Sequence, residues 1–177
     1  MAELYAVILA GGRGERFWPW STPERPKQFL PLLGPQTLLQ QTAERIRLLL
    51  PWERIFVSAN RSHASLVASQ LPALPSDHLL LEPRGRNTAP GIGLASLSLE
   101  RYDPKAVMAV LPADHYIPSP SLFLDALRRG VQVLDAHPAA LVTFGIRPTR
   151  PETGYGYIQR GVELAPGQGA YRVARFT

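Results

Sequence analysis

Apolar positions along this chain change period repeatedly, from short unbroken runs to helical spacing and back. Leu4-Tyr5-Ala6-Val7-Ile8-Leu9-Ala10 is a continuous apolar run, the pattern of a strand buried on both faces. Gly11 to Pro35 is rich in Gly and Pro and reads as a long loop. From Thr37 to Leu50 apolar residues recur at helical spacing (Leu38, Leu39, Ala43, Ile46, Leu49, Leu50), and Pro51 stops the pattern. Arg54–Ala59 predicts a second strand and Ser62–Leu71 a second helix, ended by Pro72. Leu79–Leu81 is a short third strand. Thr88–Arg101 is a helix that tolerates Pro90 in its first turn. A fourth strand over Ala106–Leu111 breaks at Pro112, and a helix follows over Ser121–Ala136. Ala140–Ile146 predicts a fifth strand, with further strands over Tyr155–Gln159 and Tyr171–Phe176. This order argues for an α/β domain with a largely parallel sheet and right-handed crossovers. In such sheets ligands bind beyond the carboxyl ends of the strands, where the polar motifs of this chain fall.

Composition narrows the class. The 177 residues are 45% hydrophobic and 19% charged, which excludes intrinsic disorder. A domain of this length buries roughly 70% of the surface its unfolded chain exposes. No apolar run approaches the roughly 18 residues of a membrane span. Met1–Ala10 carries Glu3, has no basic leader and runs into Gly11-Gly12, unlike a secretory signal. Cysteine is absent, so there is neither a disulfide framework nor a thiolate metal site. A cytoplasmic location is the expectation. The formal net charge of +5 favours anionic partners. All basic residues but Lys27 and Lys105 are arginine, and none gather into a run of five. That dispersion speaks against nucleic acid and anionic membranes and leaves phosphorylated small molecules.

The first strand empties into Ala10-Gly11-Gly12-Arg13-Gly14-Glu15-Arg16-Phe17. Three glycines in four positions let backbone N–H groups turn toward an anion. Arg16 and Lys27 add a bidentate donor and a point charge, the requirement for holding a triphosphate. The nucleoside-triphosphate P-loop fails letter by letter: Arg16 and Phe17 stand where its second Gly belongs. The dinucleotide fingerprint matches at Gly12 and Gly14 and fails at Phe17, and Ser58-Ala59-Asn60 closes the second strand without an acidic residue.

Leu9-Ala10-Gly11-Gly12-Arg13-Gly14-Glu15-Arg16-Phe17-Trp18-Pro19, followed by Pro26-Lys27-Gln28-Phe29-Leu30, resembles the opening of the sugar-phosphate nucleotidylyltransferases. The Phe-Trp-Pro and Pro-Lys-Gln-Phe combination is similar to the mannose-1-phosphate guanylyltransferase branch of that superfamily. The resemblance implies a Rossmann-like, mostly parallel sheet flanked by helices, of the nucleotide-diphospho-sugar transferase type. It implies transfer of a guanylyl group from GTP to mannose 1-phosphate, with GTP and the sugar phosphate as partners and Mg²⁺ as cofactor. Gly11, Gly12, Arg13 and Gly14 would cradle the triphosphate. Arg16 would stabilise the leaving pyrophosphate and Lys27 the α-phosphate.

The same resemblance covers three later segments. Leu111-Pro112-Ala113-Asp114-His115 carries the family's metal-binding aspartate at Asp114; alone, an Asp after a strand is more often a turn or cap residue. His115 is not assigned to catalysis. Glu82-Pro83 and Asn87-Thr88-Ala89-Pro90 match a segment beside the nucleotide. Glu82 is placed to accept from guanine N1–H and N2, while Asn87 or Thr88 also suits a helix cap. Thr153, Gly154 and Tyr157, within Glu152-Thr153-Gly154-Tyr155-Gly156-Tyr157-Ile158, fall at the sugar side, where a plain hairpin is the alternative. Beyond Arg175-Phe176-Thr177 the family continues into Glu-Lys-Pro, so residues 1–177 correspond to the N-terminal portion of its catalytic domain. Competing readings are a non-catalytic nucleotide-sugar sensor on this fold, and the same chemistry with another base or hexose. Self-association is compatible with the chain.

Overall fold

The computed structural model describes residues 3–12, 17–83, 87–165, 167 and 169–177. The chain divides into two compact units, Met1–Leu127 and Arg128–Thr177. In the first, β1 (Leu4–Leu9), β2 (Ile55–Asn60), β3 (Leu79–Glu82) and β4 (Val107–Pro112) form one parallel sheet in the order β3-β2-β1-β4. The crossovers are α1 (Leu38–Arg47), α2 (Ala64–Gln70) and α3 (Thr88–Tyr102), and α4 (Pro120–Ala136) follows β4. The fold is therefore the α/β class that the alternating pattern predicts.

The sheet is held by burial on both faces. Ala6 and Ile8 of β1 point into one cluster with Phe29, Leu39, Ala43, Ile46, Val57, Val67, Leu124 and Leu127. Tyr5 and Val7 point into the other with Phe56, Ala95 and Leu99. Successive strand residues face opposite sides, which explains why β1 reads as an unbroken apolar run. Residues Tyr5–Ile8 are almost wholly inaccessible to solvent.

Local chemistry sets the ends of α1. The Thr37 hydroxyl accepts from the Gln40 N–H, and the Gln40 side chain accepts from the Thr37 N–H, at 3.2 and 3.0 Å. This reciprocal capping box supplies partners to donors that a helix start leaves open. The pattern predicts a helix through Leu50, but α1 ends at Arg47. Leu49 and Leu50 both donate to the Ile46 carbonyl at 2.9 Å, closing a tight turn before Pro51, whose ring disfavours helical backbone at the residue before it.

In the second unit, β5 (Ile158–Glu163) pairs antiparallel with β6 (Tyr171–Phe176). The strand expected over Tyr155–Gln159 starts later, at Ile158, preceded by reciprocal Tyr157–Thr177 backbone bonds of 2.7 and 2.9 Å. The strand expected over Ala140–Ile146 is not one: this run belongs to neither sheet. Its Phe144 and Val142 side chains lie against Gly130 of α4, while Leu141 and Ile146 are exposed. An apolar run has strand propensity, but a strand exists only where a neighbour completes its hydrogen bonds. Among the described residues no helix is long and apolar enough to cross a membrane.

Candidate functional site

The carboxyl ends of the strands gather the polar residues of the first unit. Beyond β1, the Ala10 N–H donates to the Ser58 carbonyl at 2.7 Å, and the Ala113 N–H donates to the Leu9 carbonyl at 3.0 Å. The first loop and the segment after β4 are thus anchored to the same strand end. A single 3₁₀ turn, Lys27–Phe29, then aims three side chains in three directions. Phe29 is fully buried in the core. The Gln28 amide, also buried, donates to the carbonyls of Ala10 at 2.6 Å and Gly12 at 2.9 Å, fixing the backbone of Ala10–Gly12. Lys27 faces outward over the Phe17 ring, 4.7 Å from its centroid, and its Nζ lies 3.2 Å from Asp114 Oδ2.

Lys27 and Asp114 therefore meet although 87 positions separate them. The pair is partly open, with side-chain exposures of 22% and 42%. An ion pair so placed gains little net stability from its Coulomb attraction. It does hold a cation and a carboxylate together at the strand ends, ready to exchange one another for an anion and a cation.

Glu82 ends β3 and turns its carboxylate inward, leaving it 7% exposed. Ser58 Oγ donates to Glu82 Oε1 at 2.9 Å. A Cβ on Gly11 would stand 3.0 Å from that oxygen, and one on Gly91 would stand 3.1 Å away. At either position a larger residue would press on the carboxylate between them. Gly91 lies in the first turn of α3, where partial positive charge favours an anion. A carboxylate has about four lone-pair sites, so Glu82 keeps acceptor capacity for a ligand.

Asn87 precedes α3 at the cap position, but its side chain makes no capping bond, which corrects the expectation of an asparagine cap. Its φ of 64° and ψ of −168° place it in a region that glycine favours, so the backbone cannot present the side chain as a cap would. Thr88, the first residue of α3, is exposed. Gly11 and Gly12 are described; Arg13, Gly14 and Arg16 lie outside the described residues.

Thr153, Gly154 and Tyr157 belong to the second unit. The Tyr157 hydroxyl accepts from the Glu152 N–H at 2.8 Å and donates to the Glu152 carbonyl at 2.9 Å. Gly154 N–H donates to Glu152 Oε1 at 3.2 Å. These bonds close the 152–157 loop on itself, so the tyrosine hydroxyl is committed to the backbone.

Gln28 and Ser58 contribute to the site without having been singled out from the sequence. Gln28 stands between Lys27 and Phe29, and a buried amide beside a loop backbone is detectable only once the loop path is known. Ser58 is a small polar residue in an apolar strand, a weak signal that a buried partner exists.

The donor set also bears on a metal. Among the described residues no three His, Cys, Asp or Glu side chains converge on one point. Asp114 offers a single accessible carboxylate. That set fits Mg²⁺, which commonly takes one or two carboxylates and completes its shell with phosphate oxygens and water.

Comparison with known proteins covers nearly the whole chain. The family description "Nucleotidyl transferase" matches residues 5–177. A mannose-1-phosphate guanylyltransferase of Klebsiella pneumoniae is 48% identical over 98% of this chain and 37% of its own length. One of Escherichia coli K12 is 44% identical over 99% of this chain and 37% of its own. The crystal structure of a Thermus thermophilus protein named mannose-1-phosphate geranyltransferase superposes with a TM-score of 0.83 at 40% identity, over 98% of this chain and 49% of that one. The chain thus spans little more than a third of the length of these curated relatives.

Proposed function

The chain belongs to the nucleotidyl transferase family, and on that premise we propose that its site transfers a guanylyl group from GTP to mannose 1-phosphate, releasing pyrophosphate. The observation that carries the reading is the Lys27–Asp114 pair at the open ends of β1 and β4, beside a glycine-rich loop whose start is pinned by Gln28. The similarity to mannose-1-phosphate guanylyltransferases of 44–48% identity supports the choice of substrates. A phosphate oxygen of mannose 1-phosphate attacks the α-phosphorus of GTP. The bond from that phosphorus to the β-phosphate bridging oxygen breaks, and the electron pair leaves with pyrophosphate.

The chain's own residues position and neutralise. Gly11 and Gly12 present backbone to the triphosphate. Lys27 Nζ swings from Asp114 to the α-phosphate, where negative charge concentrates as the nucleophile approaches. Arg16 neutralises the departing pyrophosphate. Asp114 would hold Mg²⁺, which would screen charge on the phosphate oxygens. Glu82, oriented by Ser58, accepts from N1–H and N2 of guanine; adenine lacks both donors. A cytoplasmic location suits an enzyme that draws on nucleotide and sugar-phosphate pools.

Calorimetric titration with Mg²⁺-GTP, Mg²⁺-ATP and Mg²⁺-dTTP tests this directly. GTP is expected to bind with clear preference, and Glu82→Gln is expected to erase that preference; equal affinities for all three would refute the assigned base. In a turnover assay with mannose 1-phosphate, Lys27→Ala is expected to lower kcat on the order of 100-fold or more with the fold intact. Near-normal turnover would refute the role of Lys27.

A further inference from the structure

Asp114 sits on a short connection, and a connection of this kind does not by itself hold a carboxylate still. Three hydrogen bonds to the backbone of its two neighbours, Ala113 and His115, do. The Ala113 N–H donates to Leu9 at the end of β1. The Ala113 carbonyl accepts from Thr42 Oγ1 at 3.3 Å, and the His115 carbonyl accepts from Arg45 Nη2 at 3.2 Å. Thr42 and Arg45 stand three positions apart on α1 and so share one helix face. Thr42 is 1% exposed and Arg45 7%.

Arg45 is the less expected of the two. Burial pulls its pKa below the ordinary arginine value, yet a guanidinium stays protonated in proteins. Its partners given by the structure are the His115 carbonyl and the face of Phe123, 5.6 Å from the ring centroid. Enclosing a cation against neutral groups is costly, and a hydrophobic side chain at this core-facing position would avoid that cost. A guanidinium gains what an apolar residue cannot: a directed, charge-assisted bond that fixes the carbonyl of His115, the residue after Asp114.

We infer that Thr42 and Arg45 are positioning residues that clamp the carbonyls of Ala113 and His115, the residues on either side of Asp114, and so hold its carboxylate in the orientation in which it would bind Mg²⁺. The inference rests on the metal role given to Asp114 above. Groups that orient a metal ligand from behind commonly contribute about 10–100-fold to metal affinity, so the clamp should be read in metal dependence rather than in nucleotide contact.

The test is calorimetric titration of GTP into the full 177-residue chain across a series of MgCl2 concentrations and in EDTA. Thr42→Val and Arg45→Met are expected to raise the Mg²⁺ concentration of half-maximal affinity gain by about 10-fold, with GTP affinity in EDTA unchanged. Thr42→Ser, which keeps the hydroxyl, is expected to restore the wild-type value. Thr42→Val is the decisive variant if Arg45→Met does not fold, because it conserves volume. A folded Thr42→Val chain with wild-type Mg²⁺ dependence overturns the clamp, and a loss of thermal stability alone also overturns it, since that marks a structural role only. Asp114→Asn, measured in parallel, separates the two levels of the argument. If Asp114→Asn abolishes the Mg²⁺-dependent gain while Thr42→Val does not alter it, the clamp fails and the metal role stands. If Asp114→Asn leaves the gain intact, the metal assignment fails and the clamp with it.

Discussion

Ser58 and Glu82 meet in a tightly packed space. Glu82 Oε1 accepts from the Ser58 hydroxyl, and Gly11 and Gly91 approach the same oxygen to within what a Cβ would need. Ser58→Ala should remove a bond to a buried charged group at a cost of about 1.5–3 kcal/mol. Gly91→Ala should push the carboxylate aside and cost about 1–3 kcal/mol by overpacking. Both losses are read as shifts of the urea-unfolding midpoint, and the double variant should lose less than their sum because both act through one carboxylate. A Ser58→Ala chain with the wild-type midpoint would show that this bond carries no stability. At this scale the sequence was partly legible. Lys27 and Asp114 stand out as charged residues in loops after strands. Their meeting was not legible from spacing, since they stand 87 positions apart. Ser58, Gln28, Thr42 and Arg45 carry ordinary polar identities whose partners are set by chain path alone.

At the scale of elements, α1 ties together several parts of the first unit. Its capping box starts it, its apolar stripe of Leu39, Ala43 and Ile46 enters the core, and Thr42 and Arg45 reach the loop after β4. Its start is bonded to the end of α2: Thr37 Oγ1 donates to Gln70 Oε1 at 2.7 Å and Gln40 Nε2 donates to the Gln70 carbonyl at 3.1 Å. Thr37→Ala therefore loses both the cap and the link to α2, and should destabilise the chain by about 1–2 kcal/mol in denaturant unfolding. Thr37→Ser should retain most of that stability; an equal loss in both variants would assign the effect to the methyl group instead. Elements whose apolar period is complete within their own sequence were well anticipated: β1, α3 and α4 fall within a residue or so of expectation. Ala140–Ile146 was not, because pairing is a property of two segments and only one is visible in a local run.

Across the whole molecule, backbone protection should follow hydrogen bonding rather than hydrophobicity. In native-state hydrogen exchange, the amides of β1, paired on both sides by β2 and β4, should exchange slowest. Residues 141–146 should exchange fast despite their apolar character, since no ladder includes them. Slow exchange there would point to a pairing that forms in solution. The net charge of +5 acts at the same scale, drawing anionic substrates toward the protein without choosing among them. By itself the sequence determined the α/β class, the order of strands and helices up to α4, and the chemistry available at the strand ends. Those follow from hydrophobic period and from turn-forming residues, which act over a few positions. Only the tertiary structure decided that Lys27 faces Asp114, that Gln28 pins the start of the glycine-rich loop, that Ser58 holds Glu82, and that α1 grips the residues on either side of Asp114. Each depends on bringing distant segments to within a hydrogen-bond length, and that distance is set by the packing of the sheet and its helices.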